Sequence, residues 1–140
     1  PVLLTDRGPI AALAEEGCRR NGLELAHGIE FERDEVAAHA LLTEHLDGQA
    51  PGAILACDCI FAPLFGDSFL LLRMLVALAG PSTAIIVALE RRPKDSAEGF
   101  FTRAAELGFG MQVLAQRKRV LVVELWRRDI GEEVGDTLPR

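Results

Sequence analysis

The chain has 140 residues, one domain's worth on the usual size range. Fifteen Lys and Arg against 21 Asp and Glu leave a net charge of −6, which argues against a general nucleic-acid or anionic-membrane binder, since those need a basic surface. Apolar residues at 49% and charged residues at 26% allow a packed core and argue against disorder.

Val2-Leu3-Leu4-Thr5, closed by Asp6, predicts a buried strand that opens the chain. Residues 10–20 follow as a helix, with Ile10, Leu13, Ala14 and Cys18 on one face, Pro9 in its first turn and Asn21-Gly22 as its stop. Leu23, Leu25, Ile29 and Phe31 alternate as a half-exposed strand broken at Gly28. Residues 35–46 predict a helix with Val36, Ala40 and Leu46 inward. Residues 53–61, AILACDCIF, are an almost continuous apolar run, as in a buried parallel strand. A single helix over 65–79, stopped by Gly80-Pro81, leads to a second buried strand over 83–89. Residues 96–107 form an amphipathic helix with Ser96 as N-cap. Two last strands, 111–115 and 120–126, flank a basic turn, Arg117-Lys118-Arg119, and 130–140 is a polar tail. The alternation of strands and helices predicts an α/β fold: a Rossmann-like, mostly parallel sheet with helices on both faces and an antiparallel C-terminal strand.

The odd, sparse set Cys18, Cys57 and Cys59 is no disulfide framework and fits a reducing compartment. The longest apolar stretch, 69–79, is 11 residues long and is interrupted by Arg73, against the about 20 that a membrane span needs. Asp6 and Arg7 stand where the apolar core of a targeting peptide would be. The expectation is a cytoplasmic protein, with a nuclear one also open.

Ligands of open α/β sheets sit beyond the carboxyl ends of the strands, where Asp6, Asp58 and Glu90 lie. Asp6 is placed to accept both hydroxyls of a ribose, or else is a turn former. Asp58, a lone acid in an apolar run, is a perturbed functional carboxylate, a helix cap, or the partner of an arginine such as Arg91. Cys57 and Cys59 have no third or fourth ligand at metal spacing and read as small core residues, so no metal is expected. The basic turn reads as a solvated hairpin tip, with an acidic-partner contact as the minor alternative.

VLLTDRG before a helix, ILACDCIF, IIVALERR and RVLVVELWRR together resemble the second, fourth, fifth and seventh strands of the class I, seven-strand S-adenosylmethionine-dependent methyltransferases, in the branch of non-histone protein-lysine methyltransferases. The resemblance covers residues 2–128, the carboxyl-terminal two-thirds of such a domain, with 129–140 as a tail. It implies methyl transfer from S-adenosylmethionine to a protein lysine. Asp58 would orient the amine, Phe61, standing where the family has Tyr, would line the lysine channel, and Asp6 and Cys57 would contact the cofactor. The family's first strand and its glycine-rich loop have no counterpart here, so the resemblance also implies an incomplete sheet, which a partner chain could complete. The alternative function is a non-catalytic, methyltransferase-like interaction module. A dehydrogenase fragment is the third reading, and an antiparallel last strand beside the fifth would speak against it.

Overall fold

A computed structural model describes residues 2–6, 8–23, 26–30 and 35–128. The chain divides into two compact units, Pro1–Gln49 and Ala50–Arg140. The tail expected at 129–140, and Leu25 and Phe31 of the expected second strand, lie outside the described residues.

The first unit runs β1 (Val2–Asp6), α1 (Gly8–Arg20), β2 (Ala26–Glu30) and α2 (Glu35–His45). β1 and β2 pair in parallel, from Val2 opposite Ala26 to Asp6 opposite Glu30, with α1 as the crossover. The elements are the predicted ones, but their inward faces are so only in part: Cys18 is buried as expected, while Ile10, Leu13 and Val36 are exposed. α1 buries Ala11 and Cys18 and leaves Leu13 68% exposed; α2 buries Ala38 and Leu41 and leaves Val36 80% exposed. β1 also exposes Val2 and Leu4. A sheet of two strands has little face to offer, and α1 meets it closely at Ala11, whose carbonyl lies against Gly28 of β2, while Ile10 and Leu13 stay out.

The second unit holds the larger core. β3 (Ala53–Cys57), α3 (Ala62–Phe65), α4 (Phe69–Leu78), β4 (Ala84–Glu90), α5 (Ala97–Glu106), β5 (Phe109–Arg117) and β6 (Val120–Arg127) follow in order. The sheet order is β3-β4-β6-β5. β3 and β4 are parallel, and β6 is antiparallel to both β4 and β5. The expected antiparallel last strand is therefore present, but the sheet is mixed and not mostly parallel as expected, since β6 pairs antiparallel on both sides; the protein is a mixed α/β fold. On one face Ile85, Val87 and Leu89 stand opposite Leu125, Val123 and Leu121, all buried. Ala84, Ile86, Ala88, Val122 and Trp126 on the other face are only half-buried. Leu71, Leu72, Leu75 and Leu78 of α4 and Phe100, Phe101 and Ala104 of α5 complete the core. Phe100 and Phe101 meet edge to face at 5.3 Å.

Three local expectations change. The helix expected over 65–79 is split: Gly66, at φ 71°, takes the left-handed conformation that ends α3, and the Asp67 carboxylate accepts the Phe69 N–H at 2.9 Å to start α4. Ser96 does not cap α5. It has φ 62° and its hydroxyl is buried without a partner, while the Asp95 carboxylate accepts the Ala97 N–H at 3.0 Å. The final strands are longer than predicted and close on the two-residue turn Lys118-Arg119, with a bulge between Val113 and Ala115. Among the described residues no helix is long and apolar enough to cross a membrane.

Candidate functional site

The run AILACDCIF forms a strand only as far as Cys57. The Asp58 N–H still donates to the Ala88 carbonyl at 2.7 Å, but Asp58 itself has φ 53° and turns out of the sheet. This resolves the lone acid in an apolar run: the carboxylate leaves the interior at the strand's end and stays half-exposed.

Asp58 is held from two sides. Its Oδ1 accepts the Glu90 N–H at 3.1 Å, and its Oδ2 accepts Nη2 of Arg92 at 2.7 Å. The same nitrogen donates to Glu90 Oε2 at 3.0 Å. The Arg92 guanidinium also stands over the Phe61 ring, 5.3 Å from its centroid, a cation–π contact. The hydrogen bond to Glu90 outweighs desolvation and, with the Asp58 and Glu90 charges, holds Arg92 above its ordinary pKa. Asp58 and Phe61 are thus brought together, with Arg92 between them. The arginine-pair alternative is met by Arg92, while Arg91 bonds Asp95 at 2.9 Å instead. Arg92 is the residue that sequence reading missed. The signal was available, since parallel neighbours β3 and β4 end together and Arg91-Arg92 directly follow β4.

The other candidates are Asp6 and Cys57, the expected cofactor contacts. Asp6 is the exposed last residue of β1, in the first unit. Cys57 is the last residue of β3, in the second, and its carbonyl accepts the Cys59 thiol at 3.2 Å. The expectation that Cys57 and Cys59 are small core residues fails: Cys57 is exposed and Cys59 half-buried, because the chain turns at Asp58. Among the described residues no group of His, Cys, Asp and Glu is arranged to hold a metal ion.

A second feature lies at the edge of the sheet. β3 is its terminal strand. Gly52 accepts from the Ala84 N–H and Asp58 donates to Ala88, so residues 52, 54, 56 and 58 turn their backbone groups toward β4. By the alternation of a strand, Ala53, Leu55 and Cys57 turn theirs outward. The Leu55 side chain is 73% exposed. The opposite edge, β5, carries Gln112, Gln116, Arg117 and the bulge, the features by which sheets discourage further pairing. β3 reads AILAC, with no charge, proline or bulge.

No protein-family model matches the chain. Over 111 residues it is 32% identical to the secreted RxLR effector protein 48 of Plasmopara viticola, a match covering 71% of this chain and 56% of that protein. The chain therefore spans little more than half the length of this relative. The similarity corrects the sequence expectation. It is to a secreted effector, so it overturns S-adenosylmethionine-dependent methylation of a protein lysine, the assignment as an enzyme and the placement in the cytoplasm.

Proposed function

We propose that the chain is the binding part of a secreted, effector-type protein that acts by holding a partner protein and not by catalysis. The observation that carries this reading is the open β3 edge. Ala53, Leu55 and Cys57 turn backbone donors and acceptors outward beside the exposed Leu55 side chain, only the Cys57 carbonyl being met already, by the Cys59 thiol. Such an edge accepts an extended segment as an added strand, with main-chain hydrogen bonds supplying affinity and the outward side chains supplying selectivity. Secretion rests on the relative's name. The Arg92 pair at Asp58 supports binding over catalysis, because the carboxylate's second oxygen is already matched by a cation of the same chain.

The test is residue-resolved hydrogen exchange, first on the free chain, then with strand peptides selected against it from a display library. The reading expects the Leu55 and Cys57 amides to exchange fast when free and to become protected by the selected peptides, and Leu55→Lys to abolish that protection. Slow exchange of these amides in the free chain, or protection elsewhere, would sink it.

The strand order β3-β4-β6-β5, with antiparallel β6 beside β4, supports a methyltransferase-like, Rossmann-type ancestry for this binding scaffold. S-adenosylmethionine enters that reading as a ligand only, with the Asp6 carboxylate as the ribose contact. Titration with S-adenosylhomocysteine checks it: saturable binding lost in Asp6→Ala supports the ligand, and its absence removes the ligand while leaving the β3 reading intact.

A further inference from the structure

We infer that the tip of the β5–β6 hairpin is a docking site for an acidic, partly apolar peptide segment of a partner protein. Arg117, Lys118, Arg119 and Val120 line an open hollow of about 500 Å³ together with Glu90. Arg117, Lys118 and Arg119 are exposed and have no ion pair among the described residues. The nearby carboxylates are already used: Asp58 and Glu90 pair with Arg92, and Asp95 pairs with Arg91. The tip is therefore locally cationic on a chain whose net charge is −6.

The tip is also held in place. The Arg91 N–H donates to the Arg119 carbonyl at 2.7 Å, Glu90 stands opposite Val120 across the β4–β6 pair, and Lys118 sits at φ 54° in a two-residue turn. Cations presented on an anchored turn lose less freedom on binding than cations on a loose loop. Val120 is 49% exposed and gives the hollow an apolar wall, which suits side chains better than bare phosphate. The negative charge of the whole chain repels a long polyanion, whereas a short acidic segment meets only the local field. The hollow takes Glu90 from the end of β4, the neighbour of β3, but none of its lining residues belongs to the outward edge of β3, and this inference stands without the strand-addition reading.

Fluorescence anisotropy of the full chain with a short labelled peptide of alternating glutamate and leucine tests it, with glutamine replacing glutamate as control. Saturable binding of the acidic peptide alone is expected. It should weaken with added salt, survive in Leu55→Lys and fall by roughly tenfold or more when Arg117→Gln, Lys118→Asn and Arg119→Gln are combined. All three residues are exposed, so an unchanged circular-dichroism melt will show that the triple variant folds. Equal binding of the glutamine peptide, binding retained in the triple variant, no saturation, or displacement by inorganic phosphate or single-stranded RNA at lower concentration than the peptide would each overturn the proposal.

Discussion

Arg92 Nη2 lies 2.7 Å from Asp58 Oδ2 and 3.0 Å from Glu90 Oε2, so one guanidinium joins the end of β3 to the end of β4. Removing it leaves two carboxylates on adjacent strand ends with no cation between them. Arg92→Ala is expected to lower the melting temperature slightly in dilute buffer and much less at high salt, because the new repulsion is screened. Asp58→Asn in the same background should restore most of the loss. Thermal melts at two ionic strengths check both, and a loss independent of salt would mean that the Phe61 contact, not charge, is what Arg92 supplies.

Asp95 is the buried carboxylate that starts α5. Burial pushes its pKa up, but hydrogen bonds from the Ala97 N–H, the Arg92 N–H and the Arg91 side chain outweigh that and hold it below the ordinary value. A depressed carboxylate contributes stability above its unfolded-state pKa of about 3.9 and loses it as pH falls through the lower folded value. Asp95→Ala should cost about 1 kcal/mol at neutral pH by loss of the cap. In urea titrations the gap between the unmodified chain and the variant should narrow in strong acid. A gap constant with pH would contradict the charged cap.

Gly110 faces Trp126 across the β5–β6 pair, and a Cβ added at Gly110 would overlap the indole ring. The tryptophan lies against bare backbone there. Gly110→Ala is expected to destabilise by about 1–3 kcal/mol, in the range of overpacked cores. It should also shift the fluorescence of Trp126, the sole tryptophan. An unchanged spectrum with full stability would show that the ring swings away freely.

How much of this was legible in the sequence follows from where each signal is local. The elements of the second unit were, because AILAC, AIIVAL and VLVVELW are apolar runs bounded by Gly, Pro or charge. The break at Gly66 was written in Gly66-Asp67-Ser68 but hidden by apolar residues on both sides. Ser96 looked like a cap by residue type, yet the capping oxygen comes from Asp95 next to it, a choice set by the positive φ of Ser96 and by Arg91. Periodicity placed Cys18 of α1 correctly but turned Ile10 and Leu13 inward, whereas with two strands the close approach of α1 is made at Ala11; in α2 the buried residues are Ala38 and Leu41 and not Val36. Asp58 stood out correctly as a residue needing a partner. Its partner, Arg92, is 34 positions away and became visible only when β3 and β4 were paired in parallel. The resemblance to methyltransferases matched strand sequences, and strand sequences report a scaffold; what a scaffold does is set by its sites.

Leu55 gives the most direct separation of stability from binding. Its side chain is 73% exposed on the terminal strand, so Leu55→Lys removes little buried surface and should change stability by no more than about 0.5 kcal/mol. The same change places a charge on the uncharged edge stretch Ala53–Cys57, and a lysine there discourages an incoming strand. Strand addition has a further consequence. At high concentration an uncovered β3 edge will also pair with a second copy, so the unmodified chain should self-associate in sedimentation experiments while Leu55→Lys stays monomeric with an unaltered melt. Monomers in both cases, with fast exchange at Leu55, would mean that the edge selects its partner by side chain. Monomers in both cases with slow exchange would mean that the edge is already filled within the chain, and the binding role would have to move to another surface.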